Sequence, residues 1–165
     1  MGSIRIETGS DGGDAGGSAP GSAPVLLSKL RSDGGSIQVD AEGDLSAAAI
    51  DAGSGGVLLT ARDGSVLDDG RSSTQISALQ VVLASRAAIG SGAAPLDLAA
   101  PSVLAGAATG VHLRNAANGS RAVVTSEAGE IDYQQQLGNL EVGAIFGTQR
   151  VRLEASAGAI LDADA

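Results

Sequence analysis

The chain has 165 residues, 43% of them hydrophobic, which is enough for one ordinary domain with a core and excludes wholesale disorder. Tyr133 and Phe146 are the only aromatic residues, so burial falls to Val, Leu, Ile and Ala, and such a thin core needs repetition. A net charge of −9 with Lys29 as the single lysine argues against nucleic acid or an anionic membrane as partner, and the lack of Cys removes disulfides, thiolate metal sites and cysteine nucleophiles.

The start, Met1-Gly2-Ser3-Ile4, lacks a charged segment followed by an apolar one, so an export signal is expected outside this chain, which reads as an internal fragment. No apolar run reaches the roughly 18 residues of a membrane helix, and no membrane insertion is expected. Residues 1–35 form a Gly/Ser/Pro-rich segment, expected to be partly flexible, and Thr8 to Pro24 reads as a loop or linker. Residues 36–165 form the repeat segment.

From Ser36 onward short stretches alternate apolar and polar residues, as in Ile37-Gln-Val39-Asp-Ala41 and Val57-Leu-Leu59-Thr-Ala61, the period of half-buried strands. A template of apolar-x-apolar-x-small-x-x-Gly recurs: Val57, Leu59, Ala61 and Gly64 fit it, as do Val151, Leu153, Ala155 and Gly158. Between Val57–Asp68 and Val151–Asp162 six of twelve positions are identical at an offset of 151 − 57 = 94.

A shorter offset sits inside the long one. Val111, Ala122 and Ile131 reappear as Leu140, Val151 and Ile160, and the offsets 140 − 111, 151 − 122 and 160 − 131 all equal 29. Three strand starts within each such period predict a coil with three faces, stacked on its neighbours as parallel strands. Asn118 then stands where Gly147 stands, at a turn expected to have positive φ. Earlier coils begin near Val81, Val57 and Ile37, with Pro95 and Pro101 confined to turns or strand starts. The fold expected is all-β, a parallel β-helix (β-solenoid) of about five coils of about 29 residues, with Leu153 inside and Glu154 outside. A β-sandwich is the alternative, and would show two packed sheets instead of one coil.

On Gly35-Ser-Ile-Gln-Val-Asp-Ala-Glu-Gly43, Val57-Leu-Leu-Thr-Ala-Arg-Asp-Gly-Ser-Val-Leu-Asp68, Ala88-Ile-Gly-Ser91 leading to Pro95-Leu-Asp-Leu98, and Val111-His-Leu-Arg-Asn115, the chain resembles the haemagglutinin-like repeats of large bacterial surface adhesins, similar to filamentous haemagglutinin. The resemblance spans most of residues 34 to 165. It implies a right-handed parallel β-helix, export across the outer membrane, an extracellular or cell-surface location, and a role in adhesion or in spacing a tip from the cell. It carries over no catalytic residue.

Chemistry is scarce. His112, the single histidine, alternates with Val111 and Leu113 and is expected on a solvated strand face. No nucleophile elbow, P-loop or two-histidine metal set is present. Asp68-Asp69 and Asp162 with Asp164 stand at corresponding turns of the long repeat, where oxygen ligands could collect calcium, but turn chemistry explains them as well. Asp11-Gly-Gly-Asp14 resembles a calcium repeat by composition only. Asn118-Gly-Ser120 is formally a glycosylation sequon and reads as a tight turn. Phe146 is expected in a turn or core and Tyr133 half exposed, leaving few aromatic platforms for sugar.

No catalytic, cofactor or metal residue is assigned. The expected role is a structural or adhesive repeat segment without catalysis, its partners being host or matrix glycans or proteins or neighbouring repeats of the same polypeptide. The rival is a glycan- or protein-binding module acting through a long insert around Gly90 to Gly110. A polysaccharide-degrading fragment comes third. Uncapped coil ends are expected to self-associate.

Overall fold

Alternation of apolar and polar residues becomes fifteen strands, every pairing parallel, in a computed structural model that describes residues 2–8, 24–73 and 75–164. No helix occurs among the described residues, and so none long and apolar enough to cross a membrane. The chain opens with β1 (Ile4–Glu7), β2 (Val25–Arg31), β3 (Ile37–Ala41), β4 (Leu45–Asp51) and β5 (Gly56–Ala61). Shorter pieces follow: β6 (Val66–Asp68), β7 (Ile76–Ser77), β8 (Gln80–Ser85), β9 (Ala88–Ile89), β10 (Leu96–Ala99) and β11 (Ser102–Ala107). Two long strands, β12 (Gly110–Ser126) and β13 (Ile131–Gly147), precede β14 (Val151–Ala155) and β15 (Ile160–Asp162).

Successive strands alternate between two stacks. The first runs β1, β3, β5, β8, β11, the second half of β12, the second half of β13, and β15. The second runs β2, β4, β6 with β7, β9 with β10, the first half of β12, the first half of β13, and β14. With eight levels in the first stack the chain makes about seven turns, a β-solenoid rising about 34 Å at ~4.8 Å per turn. Parallel pairing throughout removes the β-sandwich alternative.

The coil repeats at an offset of 20, not 29, and the expected five coils become about seven. Val111 pairs with Ile131 and Ile131 with Val151, so that 131 − 111 and 151 − 131 both equal 20. The offset of 29 seen in the sequence is one coil plus a half, 131 − 111 = 20 followed by 140 − 131 = 9. The offset of 94 has the same origin: four coil steps carry Val57 through Val81, Val103 and Ala122 to Val142, and a further step of 151 − 142 = 9 reaches Val151. Each coil has two inward strand segments of similar pattern, so self-similarity registers half coils as readily as whole ones.

Inward residues fill the space between the stacks. In the first stack Ile37, Val57, Val81, Val103 and Ala122 form one buried column, and Val39, Leu59, Leu83, Ala105 and Val124 form a second. The third inward position is small at every one of these levels, Ala41, Ala61, Ser85, Ala107 and Ser126, because the chain turns there. The serine hydroxyls serve that turn: Ser85 donates to Gly64 O at 2.8 Å, and Ser126 accepts from Gly129 N at 3.1 Å.

Tyr133 is fully buried and Phe146 is 64% exposed, the reverse of the expectation. Tyr133 pairs in register with Leu113 on an inward position, and its phenol is met by Asn115 Nδ2 at 3.0 Å and Ser120 Oγ at 3.0 Å. Ser120 Oγ donates to Gln135 Oε1 at 2.6 Å, and Gln135 Nε2 donates to the carbonyls of Ala117 and Leu137. No buried side-chain nitrogen or oxygen among the described residues lacks a partner.

Asn118 does not have positive φ; the adjacent Gly119 does, at 88°, and one coil on Gly138 repeats it at 68°. Glycine serves that corner because an L side chain in the left-handed region costs about 1–2 kcal/mol. Within residues 1–35, β1 and β2 pair with β3 and β4, so the stacks begin before residue 36; the linker expected over residues 8–24 falls mostly outside the described residues.

Candidate functional site

The outward surfaces of the two stacks differ chemically. Leu58, Val82, Leu104 and Val123 lie in register on the outside of the first stack. The second stack carries Asp97, His112, Arg114, Asp132 and Arg152 at outward positions. Charged residues stand outward on the first stack too, among them Asp40, Arg121 and Glu141.

A partly enclosed part of the second stack lies beside the connection between β6 and β7. The coil step from Val57 to Val81 is 81 − 57 = 24 and that from Val66 to Ile89 is 89 − 66 = 23, against 131 − 111 = 20 for a regular coil, and the surplus forms this loop. Asp68 and Asp69 shape it with two consecutive Asx turns, accepting from Gly70 N at 2.7 Å and Arg71 N at 3.0 Å. Beside it Arg114 makes a forked pair with Asp97, Nε to Oδ1 at 2.6 Å and Nη2 to Oδ2 at 2.7 Å. The Asp97 side chain is only 9% exposed, and the fork engages both of its carboxylate oxygens. Burial raises the Asp68 carboxyl above its ordinary value, against the pull of the Gly70 and Asp97 N–H groups.

A cleft of about 180 Å³ opens between loop and sheet, with Ser72 and Gln75 on one side, Arg114, Asp97 and Gln136 on the other, and Leu98 among its apolar lining. This arrangement offers hydrogen-bond donors and acceptors, with Leu98 fully buried behind them. Among the described residues that line it, no nucleophile is paired with a base.

The other residues singled out from sequence do not assemble. Asp68 and Asp69 lie at the end of β6 in the second stack, whereas Asp162 and Asp164 belong to the last level of the first, because the offset of 94 crosses from one stack to the other. Among the described residues no group of three His, Cys, Asp or Glu side chains could hold a metal ion. Asp11 and Asp14 lie outside the described residues. His112 does point outward, yet its side chain is only 12% exposed, with Nε2 3.8 Å from Glu130 Oε1; the solvated face expected for it is largely covered. Ser120 of the sequon is buried in the Tyr133 network. Nor is Gly90 to Gly110 an insert: it contains β10 and β11, one in each stack, and only the stretch between β9 and β10 leaves the ladder.

What sequence reasoning missed is the coil-to-coil ion pair. Glu130 with Arg150 (2.7 Å) and Asp132 with Arg152 (3.2 Å) each stand at a sequence separation of 20, and Asp40 with Arg62 (2.5 Å) at 22. An acid followed one coil later by arginine is the signal that would have given the true period. No family model, curated protein or solved structure matches the chain.

Proposed function

We propose that the chain is a structural rod segment of a secreted or cell-surface protein of the haemagglutinin-like kind, wound right-handed as parallel crossovers nearly always are, and without catalysis. The observation that carries this reading is continuity. The ladder runs through every level from β1 to β15, and outward charges are used between coils, at Asp40–Arg62, Asp97–Arg114, Glu130–Arg150 and Asp132–Arg152. Such a surface favours stacking, since each coil covers the inward residues of the next and fixes its neighbours' side chains. The resemblance in the repeat motifs supports an outer-membrane-associated location and a role in holding a tip away from the cell.

The test is surface display of the chain between a membrane anchor and a binding tip. A rod gives bead capture that depends on the tip and on the number of coils. Saturable adhesion of the tipless chain to beads coated with matrix protein would replace the rod with a binding module.

A further inference from the structure

We propose that the outward face of the first stack is the interface of a homodimer, in which two copies of this chain pack side by side about a two-fold axis parallel to the stack. Across the levels of β5, β8, β11 and the second half of β12, Arg121 is the one charged residue at an outward strand position, in a chain that is 18% charged. Depletion of charge marks the core of an interface. The apolar column of Leu58, Val82, Leu104 and Val123 is only partly covered, Leu104 being 43% exposed.

The shape of this face selects a second copy as its occupant. Two residues further along each strand stands a column of smaller side chains, Thr60, Ala84, Gly106 and Thr125. At the next level the sizes reverse, with Ala144 beside Val123 and Phe146, 64% exposed, beside Thr125. A two-fold axis running between the columns sets each column against the other column of the second copy, level by level. Leu104 then meets Gly106, Val82 meets Ala84, and Phe146 meets Ala144, large against small each time and each contact made twice, as an isologous interface requires. The same axis places Arg121 opposite the exposed Glu127 of the second copy, because Glu127 follows β12 on the far side of the face. Within one copy Arg121 makes an exposed contact with Asp164 at 3.6 Å. Five levels at ~4.8 Å and about seven residues at ~3.3 Å give a face of roughly 550 Å², so two copies bury about 1,100 Å², above the ~1,000 Å² that a specific interface needs.

The test is sedimentation of the chain from micromolar to millimolar concentration, with circular dichroism to establish that each variant folds. A dimer with a micromolar dissociation constant is expected. Leu104→Glu, at an outward position, should raise that constant about tenfold or more. Arg121→Glu should raise it about tenfold by setting two carboxylates against each other, and adding Glu127→Arg should restore it. Residues 121 and 127 lie about 20 Å apart along one strand, so one can compensate for the other only across the two-fold contact. A monomer at every concentration, a dimer that Leu104→Glu leaves intact, or a double variant without rescue would overturn the proposal. Larger oligomers insensitive to Leu104→Glu would do the same, since they mark association through the coil ends.

Discussion

The phenol oxygen of Tyr133 lies 3.0 Å from Oγ of Ser120, bridging the inward ends of two adjacent coils inside a core whose other buried hydrophobic residues are all aliphatic. Burial raises the phenol's pKa, so the group stays neutral and donates or accepts within the network. Tyr133→Phe keeps the ring but leaves Asn115 and Ser120 each short of a partner. The expected loss is about 1–3 kcal/mol in urea unfolding, whereas Phe146→Ala at its exposed position should cost less than about 1 kcal/mol. Equal losses would place the network's contribution elsewhere.

Strand positions and facing were legible in the sequence because alternation is local: Ile37, Val39 and Ala41 are all buried, while Gln38 and Asp40 between them are more exposed. The period was not, because Val111, Ala122, Ile131 and Leu140 look alike whichever stack they join, and alternation cannot distinguish one side of a coil from the other. Only contacts between coils break that degeneracy. The cleft was illegible for a related reason, since Gln75, Arg114 and Gln136 come from a loop and two successive coils and meet only once the true coil register is known.

The register itself can be tested by deletion. Removing residues 37–56, one whole coil, brings β5 beside β1 and should leave a cooperative fold that is shorter by one level. Removing residues 37–65, a cut at the offset of 66 − 37 = 29, puts the second-stack Val66 where the first-stack Ile37 belonged, so that β1 and β2 face strands of the wrong stack while the strands from β6 onward keep their own neighbours. Hydrogen exchange with urea unfolding should show β1 and β2 protected in the first variant and unprotected in the second, with the later coils folded in both.

Backbone packing between coils predicts a large glycine effect. A Cβ on Gly129 would lie 1.4 Å from the carbonyl oxygen of Thr109 in the coil before, a contact that only backbone displacement can relieve. At Gly70, with φ of 76°, a Cβ meets nothing within 4 Å, leaving only conformational strain. Gly70→Ala should cost about 1–2 kcal/mol, and Gly129→Ala more than about 4 kcal/mol, as in other severe core disruptions. Thermal unfolding of the two variants provides the comparison.

Two carboxylates should pull the pH dependence of stability in opposite directions. The hydrogen bond from Arg62, more than any other influence, holds Asp40 below its ordinary value of 3.8, so its contribution is present above that value and is lost as pH falls through the lowered pKa. Asp68 is raised by burial: the folded state binds its proton more tightly than the unfolded chain, and stability declines as pH rises from 3.8 through the raised value. Asp68→Asn should therefore stabilise the protein at neutral pH and give no gain well below 3.8, whereas Asp40→Asn should be destabilising at neutral pH and lose that deficit in acid. Urea midpoints measured across this range would contradict the assignment if the two variants shifted in parallel.

The ion pairs differ in how much they depend on being intact. Arg150 is 65% exposed and Glu130 35%, so Arg150→Ala leaves a carboxylate that water can reach, and a loss within about 1 kcal/mol is expected. Arg114 shields Asp97, which is 9% exposed and forked to it by two hydrogen bonds, so Arg114→Ala strands a largely covered charge. Its cost should be greater, about 2–3 kcal/mol, the range for a charged hydrogen bond broken at a buried partner. The double variant Asp97→Asn with Arg114→Ala should recover much of that loss, because an asparagine at 97 carries no charge to strand. If the double variant is no more stable than Arg114→Ala alone, the loss arises from the packing of the arginine stem instead of from the uncompensated carboxylate.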